Sequence, residues 1–471
     1  MWKKLLITGC VTFSLLSGGT LSAQPSCEIK EEVTSEQLDR TQKELVAMMK
    51  ELKNDSYFQT ELDKAAVQSS LSKRMAAYKD LTVRLLSVLE IQAELEWMKP
   101  EAIQEALGIM KKSSGFDAVL ADKRFGELKS LLAGGFDGIY TGDAQAIDKA
   151  NKTLTLKRKL MLMSPDVNVD KMLTVKFDLG ERANFVGAGS LGIQPNNWSN
   201  LSSASRKNFK AQLVELSGLQ SGELSEKVLY KPAVDGSSVT DLVLNWDGKR
   251  LMFTALDTTR RWQVHELDIN NGEAKQVTNI PEPDLEFFDG TYLPDGRMLA
   301  ISNIGYQGVP CVNGSDAVGN MVLYDPSNGY LRRLTFDQDA NWHPVVMANG
   351  KVMYVRWEYT DLTHYFSRIV MHMNPDGTEQ KSLYGSGSMF PNSIFDVQPL
   401  PKHTNRFVGV ISGHHGVARS GRLMIFDPAK SRKEEKGMIQ ELPFRGRPII
   451  PEVKDELVNG VWPQFILSLI H

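Results

Sequence analysis

Histidine is scarce in this chain, eight in 471 residues, so its clustering carries information. His343, His364 and the pair His414-His415 fall in polar, aromatic-rich stretches between apolar runs, which reads as repeat junctions or loops. Glu358 and Asp361 stand close before His364, and Arg356 precedes them. Neutral imidazoles with a carboxylate are the ordinary ligand set for zinc, and also serve copper or iron. A divalent-metal site built from His364, His414, His415 and Glu358 is therefore one reading, with His343 and Asp361 beside it. The other reading is a hydrogen-bonded network that locks loops, in which Trp342, Trp357 and Tyr359 pack and Arg356 pairs with Glu358. Arg419 and Arg422 flank Gly413-His414-His415-Gly416. They would either clamp an anion through bidentate hydrogen bonds or close a salt bridge between repeats. His265 and His372 read as strand-face residues, and His403 as a solvated loop residue.

Two short stretches resemble catalytic motifs only superficially. Gly385-Ser386-Gly387-Ser388 lacks the lysine and following helix of a phosphate cradle. Ala188-Gly189-Ser190-Leu191-Gly192 is one residue away from a nucleophile elbow and lacks a strand-to-helix setting.

The elements that must position these residues are written as a repeat. One hairpin type reads LVLNWDGKRLMFTA around Asp247-Gly248, then TYLPDGRMLAISN around Asp295-Gly296, then VVMANGKVMYVRW around Asn349-Gly350. An Asn-Gly or Asp-Gly pair between apolar runs is the strongest short-range hairpin signal, and it implies two central residues at positive φ. A second type, around Asn271-Gly272, Asn328-Gly329 and Asp376-Gly377, alternates with the first, and matching glycines recur every 48 to 57 residues. Four strands per unit at that period predict a β-propeller, because one four-stranded sheet cannot cover both of its faces alone. Degenerate units around 172–213 and 394–427 bring the recognisable blades to five. Val461 to Leu467 starts at most one more strand. The expectation is a five-bladed ring with irregular closure or, preferred here, a chain shortened at its C-terminus. In a propeller, loops of successive blades meet at one end of a central channel, which is where the histidines would converge.

Residues 33–160 instead repeat apolar positions at helical spacing. Thr34-Ser35-Glu36-Gln37 offers a cap, and Leu38, Leu45, Met48, Met49 and Leu52 form a stripe. A second run from Tyr57 to about Trp97, a third from Pro100 and a fourth from Ala144 to Met161 complete a predicted helical bundle, broken at Gly134-Gly135. The fold class is thus mainly β with a helical N-terminal region: residues 24–162 form a helical domain and 163–471 the propeller.

Lys3-Lys4, an apolar run to Leu16 and small residues up to Ala23 have the layout of a secretory signal peptide over residues 1–23, which implies a periplasmic or extracellular protein. Cys10 lies in a lipoprotein-like box, but the apolar run continues past it, which disfavours lipidation. Cleavage leaves Cys27 and Cys311, whose spacing makes no zinc or haem motif and allows one disulfide, not favoured across two domains. A net charge of −3 gives no reason to expect a nucleic-acid partner. No later segment is apolar enough to span a membrane.

The residues from about 160 to 450 resemble the middle domain of the hydrazine synthase alpha subunit family, a propeller related to TolB-type repeats. The resemblance rests on LPDGR at 293–297, VPC at 309–311, LTFDQDANWHP at 334–344 and VRWEYTDLTH at 355–364. It continues with MNPDGT at 373–378, YGSGSMFPNS at 384–393, SGHHGVARSGRL at 412–423 and FDPAK at 426–430. The haem that the named enzyme carries is attached through a CxxCH pattern, and this sequence has none, so covalent haem is not expected. The family implies no single activity. The leading expectation is an exported module that binds a small-molecule or protein partner. The rival is a metal-dependent, redox-type enzyme with its His/Glu site at the channel mouth.

Overall fold

The computed structural model describes residues 33–178, 199–357, 368–412 and 419–442, apart from positions 97, 168, 208, 222, 311–313 and 388–389, and the two-residue strand at 465–466. Residues 1–23, read above as a signal peptide, and Cys27 and Cys311 lie outside the described residues. By mutual contact the chain divides into two compact units, Met1–Met172 with Leu216–Glu226, and Leu173–Glu215 with Lys227–His471.

The first unit holds α1 (Ser35–Met49), α2 (Ser56–Ala66), α3 (Leu71–Glu96), α4 (Pro100–Met110), α5 (Ala118–Ala133) and α6 (Ala144–Met161). Thr34 and Gln37 form the expected capping box: the Thr34 hydroxyl accepts from the Gln37 N–H at 3.2 Å, and the Gln37 side chain accepts from the Thr34 N–H at 3.0 Å. Leu38, Leu45, Met48 and Met49 face the core with Leu62, Tyr78, Leu81, Leu85 and Leu89. The run read as one helix from Tyr57 is two. Ser70, whose hydroxyl accepts from the Lys73 N–H, starts α3 afresh, because serine satisfies free N–H groups better at a helix start than inside one. Among the described residues no helix is long and apolar enough to cross a membrane.

Beyond these helices the described strands pair antiparallel, with one parallel exception. The first has three described strands, β1 (Lys171–Asp178), β2 (Lys210–Ser217) and β3 (Ser225–Tyr230). The second runs in order through β4 (Val239–Leu244), β5 (Arg250–Leu256), β6 (Trp262–Asp268) and β7 (Ala274–Gln276). The third holds β8 (Phe287–Tyr292), β9 (Met298–Ser302), β10 (Asn320–Asp325) and β11 (Tyr330–Arg333). The fourth holds β12 (Asn341–Val346), β13 (Val352–Trp357), β14 (Arg368–Met373) and β15 (Lys381–Tyr384). The fifth holds β16 (Ser393–Pro399), β17 (Phe407–Ser412), β18 (Ser420–Phe426) and β19 (Met438–Leu442), β20 (Phe465–Ile466) pairs with the start of β18, and a single parallel bridge between Arg368 and Ser393 joins the fourth and fifth into one nine-stranded sheet.

Each sheet is covered by the next. Met252 and Val264 of the second sheet share a core with Phe287, Met298 and Ala300 of the third. Leu299, Met321 and Leu323 of the third meet Val352, Tyr354 and Met371 of the fourth. Trp342, Trp357 and Val370 of the fourth meet Phe395, Phe407 and Phe426 of the fifth. Middle strands such as β9 are therefore buried on both faces and read as unbroken apolar runs, while the outer strand β7 is short, polar and exposed. The first strands lie side by side, β4 by β8, β8 by β12 and β12 by β16, so they form the inner edge of a propeller-like stack.

The turns differ from expectation in one respect. Gly350 has φ of +79°, but Asn349 is not at positive φ. The Met347 N–H donates to the Lys351 carbonyl at 2.8 Å and the Gly350 N–H to the Met347 carbonyl at 2.9 Å. That is a three-residue loop, a type I turn closed by one left-handed residue, rather than a two-residue turn. Asn349 works through its side chain, which accepts from the Lys351 N–H at 3.0 Å.

Two glycines separate backbone strain from packing. Both Gly350 and Gly126 have open space where a Cβ would stand, but only Gly350 needs positive φ. Gly350→Ala is expected to destabilise the protein by about 1 kcal/mol, and Gly126→Ala, inside α5, to stabilise it by about 0.5–1 kcal/mol. Shifts of opposite sign in denaturant-unfolding midpoints check this.

Candidate functional site

The inner strands share an irregularity. The pairing register slips between Thr240 and Val243 in β4, Phe288 and Thr291 in β8, Trp342 and Val345 in β12, and Phe395 and Gln398 in β16. The residue just inside each slip is Asp241, Asp289, His343 or Asp396, at φ of 55°, 52°, 53° and 51°. Left-handed φ costs an ordinary L-residue roughly 1–2 kcal/mol, and short polar side chains tolerate it best. A bulge turns the backbone so that one side chain and one N–H leave the ladder. Here four consecutive sheets do this at the same position.

The released groups join neighbouring sheets. The Asp289 N–H donates to Asp241 Oδ2 at 3.0 Å and to the Thr254 hydroxyl at 3.2 Å. The His343 N–H donates to Asp289 Oδ2 at 2.6 Å. His343 Nδ1 lies 3.2 Å from Asp396 Oδ1 and 3.6 Å from Asp289 Oδ2. Arg419, which stands at the entrance to β18, brings Nη1 to 3.4 Å from His343 Nε2 and donates from Nη2 to the Ser199 carbonyl. Its guanidinium lies over the rings of Trp342 and Phe395, 4.9 and 5.0 Å from their centroids. The network assigns the proton of His343 to Nδ1, facing carboxylates, and leaves Nε2 to accept from Arg419.

Charge follows burial. Desolvation, reinforced by the neighbouring Asp289 charge, pushes the Asp241 carboxyl up to about 6. Desolvation also lifts Asp289 to about 6, against the pull of the His343 N–H and Arg419. Asp396 is raised by burial, with His343 and Arg419 opposing. Burial holds His343 below the ordinary imidazole value although Asp396 favours its charged form, so the ring is neutral at pH 7.

Two of the residues named from sequence, His343 and Arg419, thus meet. His343 is in strand β12, not in a junction or loop, because the bulge carries it inward. Arg356 lies apart from them, with its Nε 3.1 Å from Asp337 Oδ1. Arg422 is buried beside Glu441 on the adjacent strand β19, with 4.0 Å between Nη1 and Oε2. Glu358, Asp361, His364, His414 and His415 lie outside the described residues. Among the described residues no group of three or more His, Cys, Asp or Glu is arranged to hold a metal ion. Asp241, Asp289 and Asp396 were missed by sequence reasoning. The signal was present, since Asp241, Asp289 and His343 each stand six positions before the Asp or Asn of the hairpin turn. A cavity of about 340 Å³ near Arg206, Arg261 and Glu286 is a weaker site, since Arg206 pairs with Glu286 at 2.9 Å and Arg261 with Asp257 at 2.9 Å.

No protein-family model matches the chain, and no curated protein does. Among solved structures, the hydrazine synthase of Kuenenia stuttgartiensis is similar at 13% identity and a TM-score of 0.40, over 55% of this chain and 37% of that one. TolB from Acinetobacter baumannii is similar at 15% identity and a TM-score of 0.32, over 60% and 67%. An oligogalacturonate lyase in complex with manganese is similar at 14% identity and a TM-score of 0.34, over 50% and 61%. The chain spans little more than a third of the length of the hydrazine synthase chain.

The raised carboxyls make a signed prediction. Folded values of about 6 against 3.8 unfolded mean that the native state binds protons more tightly. That contribution is fully present below pH 3.8 and is lost as pH rises through 6. Asp289→Asn, which keeps an oxygen for the His343 N–H, should flatten the change in unfolding free energy between pH 4 and pH 7 by roughly 1–3 kcal/mol, read from denaturant titrations. Parallel profiles for the variant and the wild type would refute it.

Proposed function

We propose that this chain is an exported β-propeller of the hydrazine synthase middle-domain and TolB type, lacking covalent haem, that serves as a binding module in the periplasm or outside the cell. Five blades and the signal layout over residues 1–23 are the sequence basis for that reading. The observation that carries a binding role is the inner-edge set Asp241, Asp289, His343, Asp396 and Arg419. Side chains from four sheets converge there and retain polar atoms that the fold does not use. Asp396 Oδ2 and Arg419 Nε are buried and have no hydrogen-bond partner among the described residues. Buried polar atoms left open cost about 1–3 kcal/mol each, and a ligand that satisfies them recovers that. The partner is a small molecule, or a protein side chain entering the channel.

Thermal unfolding of the mature protein against a panel of small polar metabolites tests this. A ligand at 100 times its Kd adds about 2.7 kcal/mol, which for a chain of this size is roughly 3 °C in Tm. At least one compound is expected to raise the wild-type midpoint by that order, with the gain lost in Arg419→Gln relative to its own ligand-free midpoint. Equal gains in both proteins would move recognition elsewhere, and no gain with any compound would refute small-molecule binding.

A further inference from the structure

The chain between β1 and β2 covers 179–209, whereas the turns joining the first two strands of the next three sheets cover 245–249, 293–297 and 347–351. Within it, residues 199–206 leave the first sheet and cross the ends of others. The Arg206 guanidinium donates to the Arg260 carbonyl at 3.0 Å, between β5 and β6, and pairs with Glu286, just before β8, at 2.9 Å. The Asn200 side chain donates to the Ala317 carbonyl at 2.6 Å, between β9 and β10. The Ser199 carbonyl accepts from Arg419, at the entrance to β18. One short segment therefore touches the second, third and fifth sheets and ends on the arginine of the inner edge.

Its hold is mostly polar. Leu201 is its one buried apolar residue, packed with Leu256 and Trp262 of the second sheet and Phe288 and Leu299 of the third. Its other anchors are two buried carboxylates. Asp316 accepts from the Asn200 N–H at 3.3 Å and from the Ser202 hydroxyl at 2.9 Å. Burial pushes the Asp316 carboxyl up, and hydrogen bonds from Ser199, Ser202, Ser203 and Asn200, all in this segment, pull it down. Glu286 takes both Nη atoms of Arg206. Between these anchors the packing is open. The cavity of about 340 Å³ is lined by Ser202 and Arg206 of the segment and by Glu286, Asn303, Ser315 and Ala317 around the third sheet. A segment with little buried apolar area opens locally, well below the free energy of global unfolding. Water in that cavity can take over the bonds to Glu286 and to Asp316, which stands between the lining Ser315 and Ala317, so opening leaves neither carboxylate unpaired. Opening also takes the Ser199 carbonyl off Arg419. Resting on the binding role given above, we propose that residues 199–206 form a latch that opens as a unit and gates access to Arg419, with Asp316 and Glu286 as its catches.

Two measurements on the full chain test this: amide hydrogen exchange over residues 199–206, and labelling of Arg419 by phenylglyoxal, both read by mass spectrometry of peptides. Asp316→Asn is expected to speed both by at least tenfold. Gly350→Ala, which weakens the fold as a whole and does not touch the latch, is expected to change neither. Should Asp316→Asn fail to fold, Arg206→Gln gives the same readout at the Glu286 catch. Exchange over 199–206 that rises equally in Gly350→Ala means the segment opens only with global unfolding, and overturns the latch. Unchanged exchange in Asp316→Asn and Arg206→Gln overturns it as well. Faster exchange with unchanged labelling of Arg419 overturns the gate. Neither measurement uses a ligand, so an inner edge that binds nothing and a latch that does not open are told apart.

Discussion

A main-chain N–H taken out of a β-ladder inside a protein must find another acceptor, or the fold loses the desolvation cost of that group. That constraint organises the inner edge of this molecule. Each bulge frees an N–H at Asp289 and at His343, and each time the acceptor is the carboxylate of the preceding sheet. The same left-handed turn that frees the N–H aims the residue's own side chain at the next sheet. One backbone irregularity, repeated, therefore supplies both the donor and the acceptor of the links between sheets.

The apolar core makes those links affordable. Tyr354, Trp342, Trp357 and Phe395 are all but inaccessible to solvent, and the faces of successive sheets share them. Burying a large apolar side chain contributes about 1.5–3 kcal/mol, several times the net value of one hydrogen bond. The apolar faces hold the sheets together, and the polar links along the inner edge fix their rotation relative to one another. Arg419 belongs to both layers, since its plane lies on Trp342 and Phe395 while its edge reaches His343.

Much of this was legible in the residues. The alternation of two hairpin types around Asp247-Gly248, Asp295-Gly296 and Asn349-Gly350 announces stacked four-stranded sheets, because turn chemistry and period are local properties. The Thr34–Gln37 cap and the stripe from Leu38 to Leu52 are local in the same way. His343 and Arg419 stood out by rarity and by company. Asp241, Asp289 and Asp396 did not, since a lone Asp at a strand start looks like any solvated residue. Only alignment of the repeats on their turns shows that three Asp and one His occupy one position. The break between α2 and α3 was hidden for a different reason: the apolar period continues across Ser69-Ser70, and a serine cap is a weaker signal than a periodic stripe.

The links between sheets have a direction. Asp241 and Asp289 each receive from the repeat that follows, whereas the His343 ring accepts at Nε2 from Arg419 and donates from Nδ1 to Asp396 of the next repeat. Repeats that carry Asp at this position are interchangeable in principle, so duplication or exchange between them preserves the pattern. The repeat with His343 is not interchangeable, since an Asp copied into its place would set two carboxylates face to face with no proton between them. A stack of sheets written as one repeated pattern thus contains a seam, the repeat at which the units are no longer equivalent.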